Sequence, residues 1–190
     1  ARGERHHSVV CALALAGGHL FSGSYDGAIL VWDPITMFQR KSLVEPGQHR
    51  VTSMVASRQG DKLYTSSWDC TIKMWDAARL TPLKEVLVSP IGVCWSLAIR
   101  HDASSHSGGV PPVTTLVAGV RDNDIAIYNA ETLELMSSME QNDWAYKPDQ
   151  HKHWVRQVLA LGDGRIVTGS DDWTCKVWNY RGYQRTQRLS

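Results

Sequence analysis

Apolar and polar positions alternate with a period of two along most of the chain, and turn residues interrupt the alternation at short intervals. Four apolar alternations each begin a unit, at residues 10–15, 51–55, 94–99 and 155–161. A second strand follows in each unit, in three of them after a turn rich in Gly or Asp. Alternation of this period is typical of half-buried strands. The sequence therefore predicts strands throughout and few helices.

The third predicted strand of each unit ends in an aromatic residue, with an aspartate six residues before it. The aromatic residues are Trp32, Trp75, Tyr128 and Trp178, and the aspartates are Asp26, Asp69, Asp122 and Asp172. The pattern recurs every 43 to 53 residues, and a more polar stretch closes each unit as a fourth strand. A period near this length indicates a stack of repeated structural units. Four-stranded antiparallel units of this kind are the blades of a β-propeller.

These motifs resemble the WD40 repeat family over nearly the whole chain. The Trp-Asp ending is present twice and is conservatively altered twice, at Trp32-Asp33, Trp75-Asp76, Tyr128-Asn129 and Trp178-Asn179. The Ser-Gly-Ser-x-Asp element of the family is present at residues 22–26. The resemblance implies an all-β fold, a WD40-like β-propeller with four four-stranded antiparallel blades. Residues 1–190 would form one propeller segment, with approximate blades at 5–45, 46–88, 89–139 and 150–190.

The resemblance also implies a buried hydrogen-bond relay in each blade. It links a His before the first strand, a Ser or Thr on the second strand, the turn Asp and the third-strand Trp, because a buried carboxylate needs donors. The relay maps onto His6, Ser22, Asp26 and Trp32, onto Thr65, Asp69 and Trp75, onto Asp122 alone, and onto His151, Thr168, Asp172 and Trp178. The second blade has its His displaced to His49, and the third has Ala118 and Tyr128 at relay positions. We therefore expect the third blade to be the least rigid, and comparable hydrogen-exchange protection in all four blades would contradict this.

Large side chains occupy positions that the family analogy places on one exposed face, around the rim of the central channel. These candidate partner-binding residues are Tyr25, Arg50, Trp68, Trp95, Arg121, Trp154, Arg156 and Asp171. Exposed Trp, Tyr and Arg match the composition of protein-binding hot spots. The alternative for Trp68 and Trp95 is that they pack between blades. Across the set, the sequence favours a surface that binds a protein or a peptide.

Two chemical interpretations compete with this one. Asp, His and Ser within one unit suggest a hydrolase, and His151-Lys-His153 resembles a pair of zinc ligands. The relay recurs at a fixed period, which disfavours the hydrolase interpretation because active sites are rarely copied in this way. In addition, no nucleophile elbow accompanies it. No Cys or carboxylate lies at a suitable spacing from His151 and His153 to complete a zinc site. We therefore expect a protein without catalytic activity, metal or cofactor.

Charge and cysteine usage narrow the class of partner and the compartment. The balance of 20 basic and 19 acidic side chains disfavours binding to nucleic acid, and no apolar run is long enough to span a membrane. Four separated cysteines without CxxC pairing, at positions 11, 70, 94 and 175, suggest small buried thiols in a reducing compartment. We expect a cytoplasmic or nuclear location.

Four blades are fewer than the seven or eight that the family usually has, and an open arc would leave two apolar blade faces in water. Either the remaining blades lie elsewhere, which the start at Ala1 favours, or two copies meet as a homodimer to complete the ring. Two insertions, His101–Pro112 and Gln141–Gln150, interrupt the period. The first is expected to be flexible, and the second either docks a partner or folds back over the blade.

The sequence thus predicts a non-catalytic scaffold or adaptor that binds protein or peptide partners. One alternative is a substrate-recognition module of a larger enzyme assembly, such as a ubiquitin ligase. The other is an enzyme in its own right, which would need converging titratable groups beyond the relay residues.

Overall fold

The computed structural model describes residues 5–43, 49–88, 92–101, 114–120, 125–138, 151–179 and 184–189. Within these ranges the regular structure consists of strands and turns, without a helix. Accordingly, this part of the chain contains no helix long and apolar enough to cross a membrane. Both insertions lie outside the described residues apart from His101, as do Arg121 and Asp122.

The strands form four sheets of four strands each, and each sheet follows the chain. Sheet 1 contains β1 (Val10–Ala16), β2 (His19–Ser24), β3 (Ile29–Trp32) and β4 (Gln39–Leu43). Sheet 2 contains β5 (Val51–Ala56), β6 (Lys62–Ser67), β7 (Thr71–Asp76) and β8 (Thr81–Leu87). Sheet 3 contains β9 (Cys94–His101), β10 (Thr114–Val120), β11 (Ile125–Asn129) and β12 (Leu135–Ser138). Sheet 4 contains β13 (Val155–Ala160), β14 (Ile166–Ser170), β15 (Cys175–Asn179) and β16 (Gln184–Leu189).

The predicted all-β class, with four four-stranded antiparallel sheets as the WD40 blades, is confirmed. The chain divides into two compact units, residues 1–94 and 95–190. Sheets 1 and 2 lie in the first unit, and sheets 3 and 4 in the second, apart from Cys94 at the start of β9. The assignment of residues 1–190 to a single propeller domain with the predicted blade limits stays a prediction.

In sheets 1 to 3, an acidic or amide residue at the end of the third strand caps the turn into the fourth strand. Asp33 Oδ1 accepts the backbone N–H groups of Ile35 and Thr36 at 2.9 and 2.8 Å. Asp76 and Asn129 cap the same turn in sheets 2 and 3. Because only a side-chain oxygen is needed as acceptor, Asn replaces Asp here without loss of the turn. This accounts for the altered ending at Asn129.

The two sheets of each unit pack through a glycine. Apolar side chains from the first strand of the later sheet lie directly over a glycine in the second strand of the earlier sheet. A Cβ on Gly23 of β2 would lie 2.7 Å from Val51 Cγ1 and 3.2 Å from Met54 Sδ. A Cβ on Gly119 of β10 would lie 2.7 Å from Val158 Cγ2 and 2.9 Å from a Val155 methyl group. Only glycine allows approaches this close, so the two positions act as sockets for the side chains of β5 and β13.

The first strand of sheet 1 differs from its counterparts in exposure. Val51 and Val155, which start β5 and β13, are buried, and so are Met54 and Val158. The corresponding residues of β1 are Val10 and Leu13, which are 48% and 65% exposed. The correspondence follows from register, since Leu13, Met54 and Val158 each stand opposite the relay Ser or Thr of the second strand. Sheet 1 therefore presents an apolar face to solvent.

The expectation of buried cysteines is wrong for two of the four. All four thiols are free, but Cys11 and Cys175 are exposed, Cys70 is half-buried and only Cys94 is buried. Cys175 is the first residue of β15 and lies on the same face of sheet 4 as Gly169, its partner in β14. That face is exposed, however, because no described sheet covers it, and periodicity alone does not reveal whether a neighbour is present.

Candidate functional site

The relay residues of sheet 4 form a continuous chain of hydrogen bonds. His151 Nδ1 lies 2.9 Å from Asp172 Oδ2, and His151 Nε2 lies 2.6 Å from Thr168 Oγ1. The indole N–H of Trp178 donates to the same Thr168 oxygen over 2.7 Å. The register explains the last contact, because Thr168 stands opposite Lys176, and Trp178 is its diagonal neighbour on the same face.

The protonation states of this relay follow from its surroundings. Burial raises the pKa of Asp172, but hydrogen bonds from Thr174, the Lys152 backbone N–H and His151 outweigh burial and hold the pKa well below its ordinary value. Burial lowers the pKa of His151 and outweighs the opposing attraction of Asp172. His151 is therefore neutral at pH 7. Its Nδ1–H donates to the carboxylate, and its Nε2 accepts the Thr168 hydroxyl proton.

The order Asp, His and hydroxyl reproduces the connectivity of a hydrolytic triad, but its burial does not suit that chemistry. Thr168 is 0% exposed and His151 is 1% exposed, so a substrate has no access to the hydroxyl. The Thr168 oxygen also accepts the Trp178 N–H, which withdraws it from nucleophilic attack. The arrangement instead gives hydrogen-bond partners to the side chains of Asp172, His151, Thr168 and Trp178. It thereby ties the segment before β13 to β14 and β15.

Sheet 1 has the same relay with looser geometry. Ser22 Oγ lies 2.7 Å from His6 Nε2 and accepts the Trp32 indole N–H over 2.8 Å. His6 Nδ1 is 3.5 Å from Asp26 Oδ2, which accepts the His7 backbone N–H at 2.6 Å. His6 and Trp32 are only half-buried, in keeping with the exposed face of this sheet.

Sheets 2 and 3 have incomplete relays. In sheet 2 the Trp75 indole N–H donates to Thr65 Oγ1 over 3.0 Å, and Asp69 Oδ1 accepts both the N–H and the hydroxyl of Thr71. His49 is exposed, which argues against a buried, displaced relay role. In sheet 3, Ala118 and Tyr128 are buried at the relay positions, and Asp122 lies outside the described residues.

Protonation of His151 makes the folding stability depend on pH. Its folded pKa is lowered, so the unfolded chain binds a proton first as pH falls below about 6.5. We expect the free energy of unfolding to fall from about pH 6.5 downwards until the folded pKa is passed. Urea titrations between pH 8 and 5 measure this. The variant His151→Gln should flatten the slope, whereas the exposed control His153→Gln should retain it, and equal slopes in the two variants would contradict the assignment.

The first group of predicted binding residues meets around Arg50. The Arg50 guanidinium lies 4.5 Å from the ring centroid of Trp68 and 5.6 Å from that of Tyr25. The backbone brings these residues together, because the Trp68 N–H donates to the Arg50 carbonyl over 3.0 Å. Arg50 is exposed, and Trp68 is 42% exposed rather than packed between sheets. We call Tyr25, Arg50 and Trp68 the Arg50 cluster.

A second group meets around Arg156. Its guanidinium lies 4.2 Å from the ring centroid of Trp95 and 4.7 Å from that of Trp154, and the two indoles stack with centroids 5.6 Å apart. Asp171 Oδ2 accepts hydrogen bonds from Arg156 Nε at 2.8 Å and from an η nitrogen at 2.7 Å. This hydrogen bonding lowers the pKa of Asp171. We call Trp95, Trp154, Arg156 and Asp171 the Arg156 cluster.

The structure adds two residues that the sequence argument did not select. His153 packs against Trp154, with ring centroids 5.5 Å apart, and its Nδ1 lies 3.7 Å from Asp171 Oδ2. Trp173 is 98% exposed and has a φ of 63°, at the turn position where sheet 1 has Gly27. A tryptophan directly after the turn aspartate, at the position of Gly27 in the first unit, was the available signal. Within the described ranges, no group of three His, Cys, Asp or Glu residues is placed to hold a metal ion.

Comparison with known families agrees with the architecture. The family model described as "WD domain, G-beta repeat" (WD40) matches residues 4–33, 40–76 and 145–179, together more than half of the chain. The chain belongs to the WD40 repeat family. The third sheet lies outside the matched ranges, and it is also the sheet with Ala118 and Tyr128 at relay positions. Membership implies a protein-interaction scaffold in a family that is generally non-catalytic.

Similar proteins carry the same repeat within longer chains. The DENN domain and WD repeat-containing protein SCD1 of Arabidopsis thaliana is 30% identical over 70% of this chain and 9% of its own length. Human F-box/WD repeat-containing protein 9 is 27% identical over 96% of this chain and 37% of its own length. Human WD repeat-containing protein 18 is 25% identical over 95% and 43%. The chain thus spans less than half the length of each of these relatives.

Proposed function

We propose that this chain is a non-catalytic scaffold or adaptor that binds protein or peptide partners through the Arg50 and Arg156 clusters. The observation that carries the proposal is that in each cluster a guanidinium lies on two aromatic rings. Aromatic residues and arginine are the residue types that contribute most to binding at protein interfaces. Presentation of both clusters on one face stays a prediction.

The cation–π contacts support binding by limiting side-chain motion before a partner arrives. Arginine loses up to about 2 kcal/mol of side-chain conformational freedom when it is fixed at an interface. Arg50 and Arg156 are already held against rings, and such contacts contribute about 0.5–1 kcal/mol at exposed sites. Part of the side-chain conformational entropy that would be lost on association has therefore already been lost in the free protein.

The two clusters differ in charge, and this difference suggests what each would contact. Asp171 neutralises Arg156, so the Arg156 cluster offers mainly the accessible apolar parts of the half-buried Trp95 and Trp154. Arg50 forms no ion pair with a carboxylate among the residues that the structure describes. We propose that a partner places an acidic side chain on Arg50 and an apolar side chain against the Arg156 cluster.

This proposal can be tested by selecting binders from a phage-displayed library of random peptides, with the folded chain as the target. Selected peptides should lose at least about 30-fold in affinity for the double variant Trp68→Ala/Trp154→Ala, because the loss of even one hot spot costs at least about 2 kcal/mol. Trp173→Ala is the matched control, since it removes a tryptophan that is 98% exposed and outside both clusters. If the double variant binds as well as wild type, or if Trp173→Ala is the variant that loses binding, the clusters are not the binding site.

A second proposal follows from the relatives. Two of them, human F-box/WD repeat-containing protein 9 and the Arabidopsis F-box/WD-40 repeat-containing protein At5g21040, align with 96% and 85% of this chain. These matches favour a role as the substrate-recognition module of a larger assembly such as a ubiquitin ligase. An F-box in the full gene product, together with co-purification of a ligase adaptor, would support this role. A gene product without either would exclude it.

We further propose a cytoplasmic or nuclear location. All four cysteines are free, and Cys11 and Cys175 are exposed, which suits a compartment that keeps thiols reduced. Fluorescence microscopy of the tagged full gene product tests the location. Signal confined to the secretory pathway would contradict it.

A further inference from the structure

The chain contains two positions where proline directly follows a hydroxyl side chain, Thr81-Pro82 and Ser89-Pro90. The second pair lies outside the described residues. Thr81 and Pro82 begin β8, which is the edge strand of sheet 2 and pairs only with β7. The first five residues of β8 are exposed. The Thr81 side chain is therefore accessible from solvent together with the residues that follow it.

The backbone of Thr81 suits recognition by a protein kinase, which binds the segment around the acceptor hydroxyl in an extended conformation. Thr81 is already extended as the first residue of a strand, and Pro82 disfavours the helical conformation in the residue before it. Proline also has no N–H group, so its burial in a kinase cleft leaves no donor without a partner. The segment thus fits a kinase that requires proline directly after the acceptor.

Two comparisons within the chain single out Thr81. Many proline-directed kinases favour a basic residue three positions after the acceptor, and the exposed Lys84 lies at that distance from Thr81. A glycine lies at the same distance from Ser89. Thr36 is exposed in the corresponding turn of sheet 1, but methionine follows it instead of proline. Thr81 therefore combines exposure, a following proline and a basic residue.

Two cationic side chains border Thr81. Lys41 Nζ, from β4 of sheet 1, donates to the Leu80 carbonyl over 3.2 Å, and this carbonyl belongs to the peptide group that joins Leu80 to Thr81. The exposed Arg79 lies two residues before Thr81, and its guanidinium donates to Asp76 Oδ2 over 2.8 Å. Asp76 stands opposite Thr81 in the register of β7 and β8. A phosphate on Thr81 would therefore meet one cation from each sheet of the unit and one carboxylate.

We propose that Thr81 is phosphorylated by a proline-directed protein kinase and that Lys41 and Arg79 bind the phosphate. The kinase transfers the γ-phosphoryl group of ATP to Thr81 Oγ. The new P–O bond forms as the bond to the β-phosphate oxygen breaks, ADP leaves, and the hydroxyl proton passes to the catalytic aspartate of the kinase. The product carries a charge of about −1.5 to −2 at pH 7 and three acceptor oxygens.

The turn before β8 can accept this charge because Asp76 has two other partners. Its Oδ1 accepts the backbone N–H groups of Ala78 and Arg79 at 3.0 and 2.7 Å, so the turn keeps its cap when the Arg79 guanidinium moves to the phosphate. Charge-assisted bonds from Arg79 and Lys41 then offset the repulsion between the phosphate and Asp76. Because Lys41 belongs to sheet 1 and Thr81 to sheet 2, the phosphate would join the two sheets of the first unit.

Phosphorylation of the intact, folded chain in vitro tests the modification. The chain is incubated with Mg²⁺, ATP and a purified kinase of the cyclin-dependent class, and the phosphorylated residue is located by tandem mass spectrometry. We expect phosphate on Thr81, and we expect Pro82→Ala to abolish it while the control Thr36→Ala leaves it unchanged. Both substitutions are at exposed positions, so the fold is retained. Phosphate that is absent from Thr81, that appears there only on the unfolded chain, or that persists there in Pro82→Ala would overturn the proposal.

The phosphate contacts are tested by titrating the phosphorylated chain and following its ³¹P NMR signal. The second pKa of a phosphothreonine is about 6, and adjacent cations lower it by favouring the dianion. Lys41→Gln and Arg79→Gln should each raise this pKa, whereas Lys152→Gln, which removes an exposed lysine before sheet 4, should not. Equal pKa values in wild type and all three variants would overturn the assigned contacts. Neither measurement involves the Arg50 or Arg156 cluster, so failure here leaves the proposed function intact.

Discussion

Replacing Thr168 by valine is expected to lower the free energy of unfolding by about 2–5 kcal/mol. Valine keeps the shape of threonine but removes the oxygen that joins His151 Nε2 to the Trp178 indole N–H. Both groups are buried, and each buried polar group left without a partner costs about 1–3 kcal/mol. Urea unfolding followed by fluorescence at pH 7.5 measures the loss.

Thr115 provides a matched control for this substitution. It is also 0% exposed and lies on the second strand of its sheet, but its hydroxyl has no hydrogen-bond partner in the described part of the chain. Thr115→Val should therefore change stability by less than about 0.5 kcal/mol or should raise it, since it removes an unpaired buried hydroxyl. Equal losses at both positions would show that the relay contributes nothing beyond packing.

Replacing Gly119 by alanine is the second substitution with a large expected effect. The added Cβ would lie 2.7 Å from Val158 Cγ2 and 2.9 Å from a Val155 methyl group, distances that require the facing strand to move. Overpacking of this kind typically costs about 1–3 kcal/mol. The loss should appear in the midpoint of urea unfolding without a change in its slope.

Gly169→Ala is the corresponding control in sheet 4. The position is equivalent, but a Cβ there would have its nearest neighbours at 4.0 Å, and the backbone does not need glycine's left-handed region. Alanine should stabilise the strand by about 0.5 kcal/mol, because glycine is unfavourable inside a strand. The two substitutions are thus expected to have opposite signs, and a comparable loss at both would contradict the socket description.

The strands were predictable because the same signal occurs four times in the sequence. Period-two alternation marks strands such as β5 and β13, and the aspartate before the third strand marks a turn that its carboxylate caps in sheets 1, 2 and 4. Local chemistry controls these features, and local chemistry is readable from sequence.

The exposed faces of sheets 1 and 4 were not assigned residue by residue, because burial depends on what lies against a strand. Leu13 and Val158 have the same position in their strands and similar hydrophobicity, yet one is exposed and the other is buried. The sequence supported only the general statement that an open set of blades leaves apolar faces. It did not predict the exposure of Cys175, because alternation identifies a face but not its neighbour.

Candidate binding residues were selected by type and position, and the structure shows how they group. Arg156 of β13 and Trp95 of β9 belong to different sheets whose approach depends on tertiary packing, whereas Arg50 and Trp68 are joined by a backbone hydrogen bond next to the paired strands β5 and β6. The bond from Arg156 to Asp171, which makes one cluster nearly neutral, also required coordinates. His153 was set aside as a poor metal ligand, although its ring packs on Trp154.

The most direct test of the central claim is an NMR titration of the indole N–H signals with a library-selected peptide. The chain has 8 tryptophans, which fall into distinct structural groups. Binding through the clusters predicts saturable shifts at Trp68, Trp95 and Trp154, with Trp75 and Trp178 of the buried relays unchanged. If the peptide saturates the protein while those three signals stay in place, partners bind elsewhere and the account is wrong.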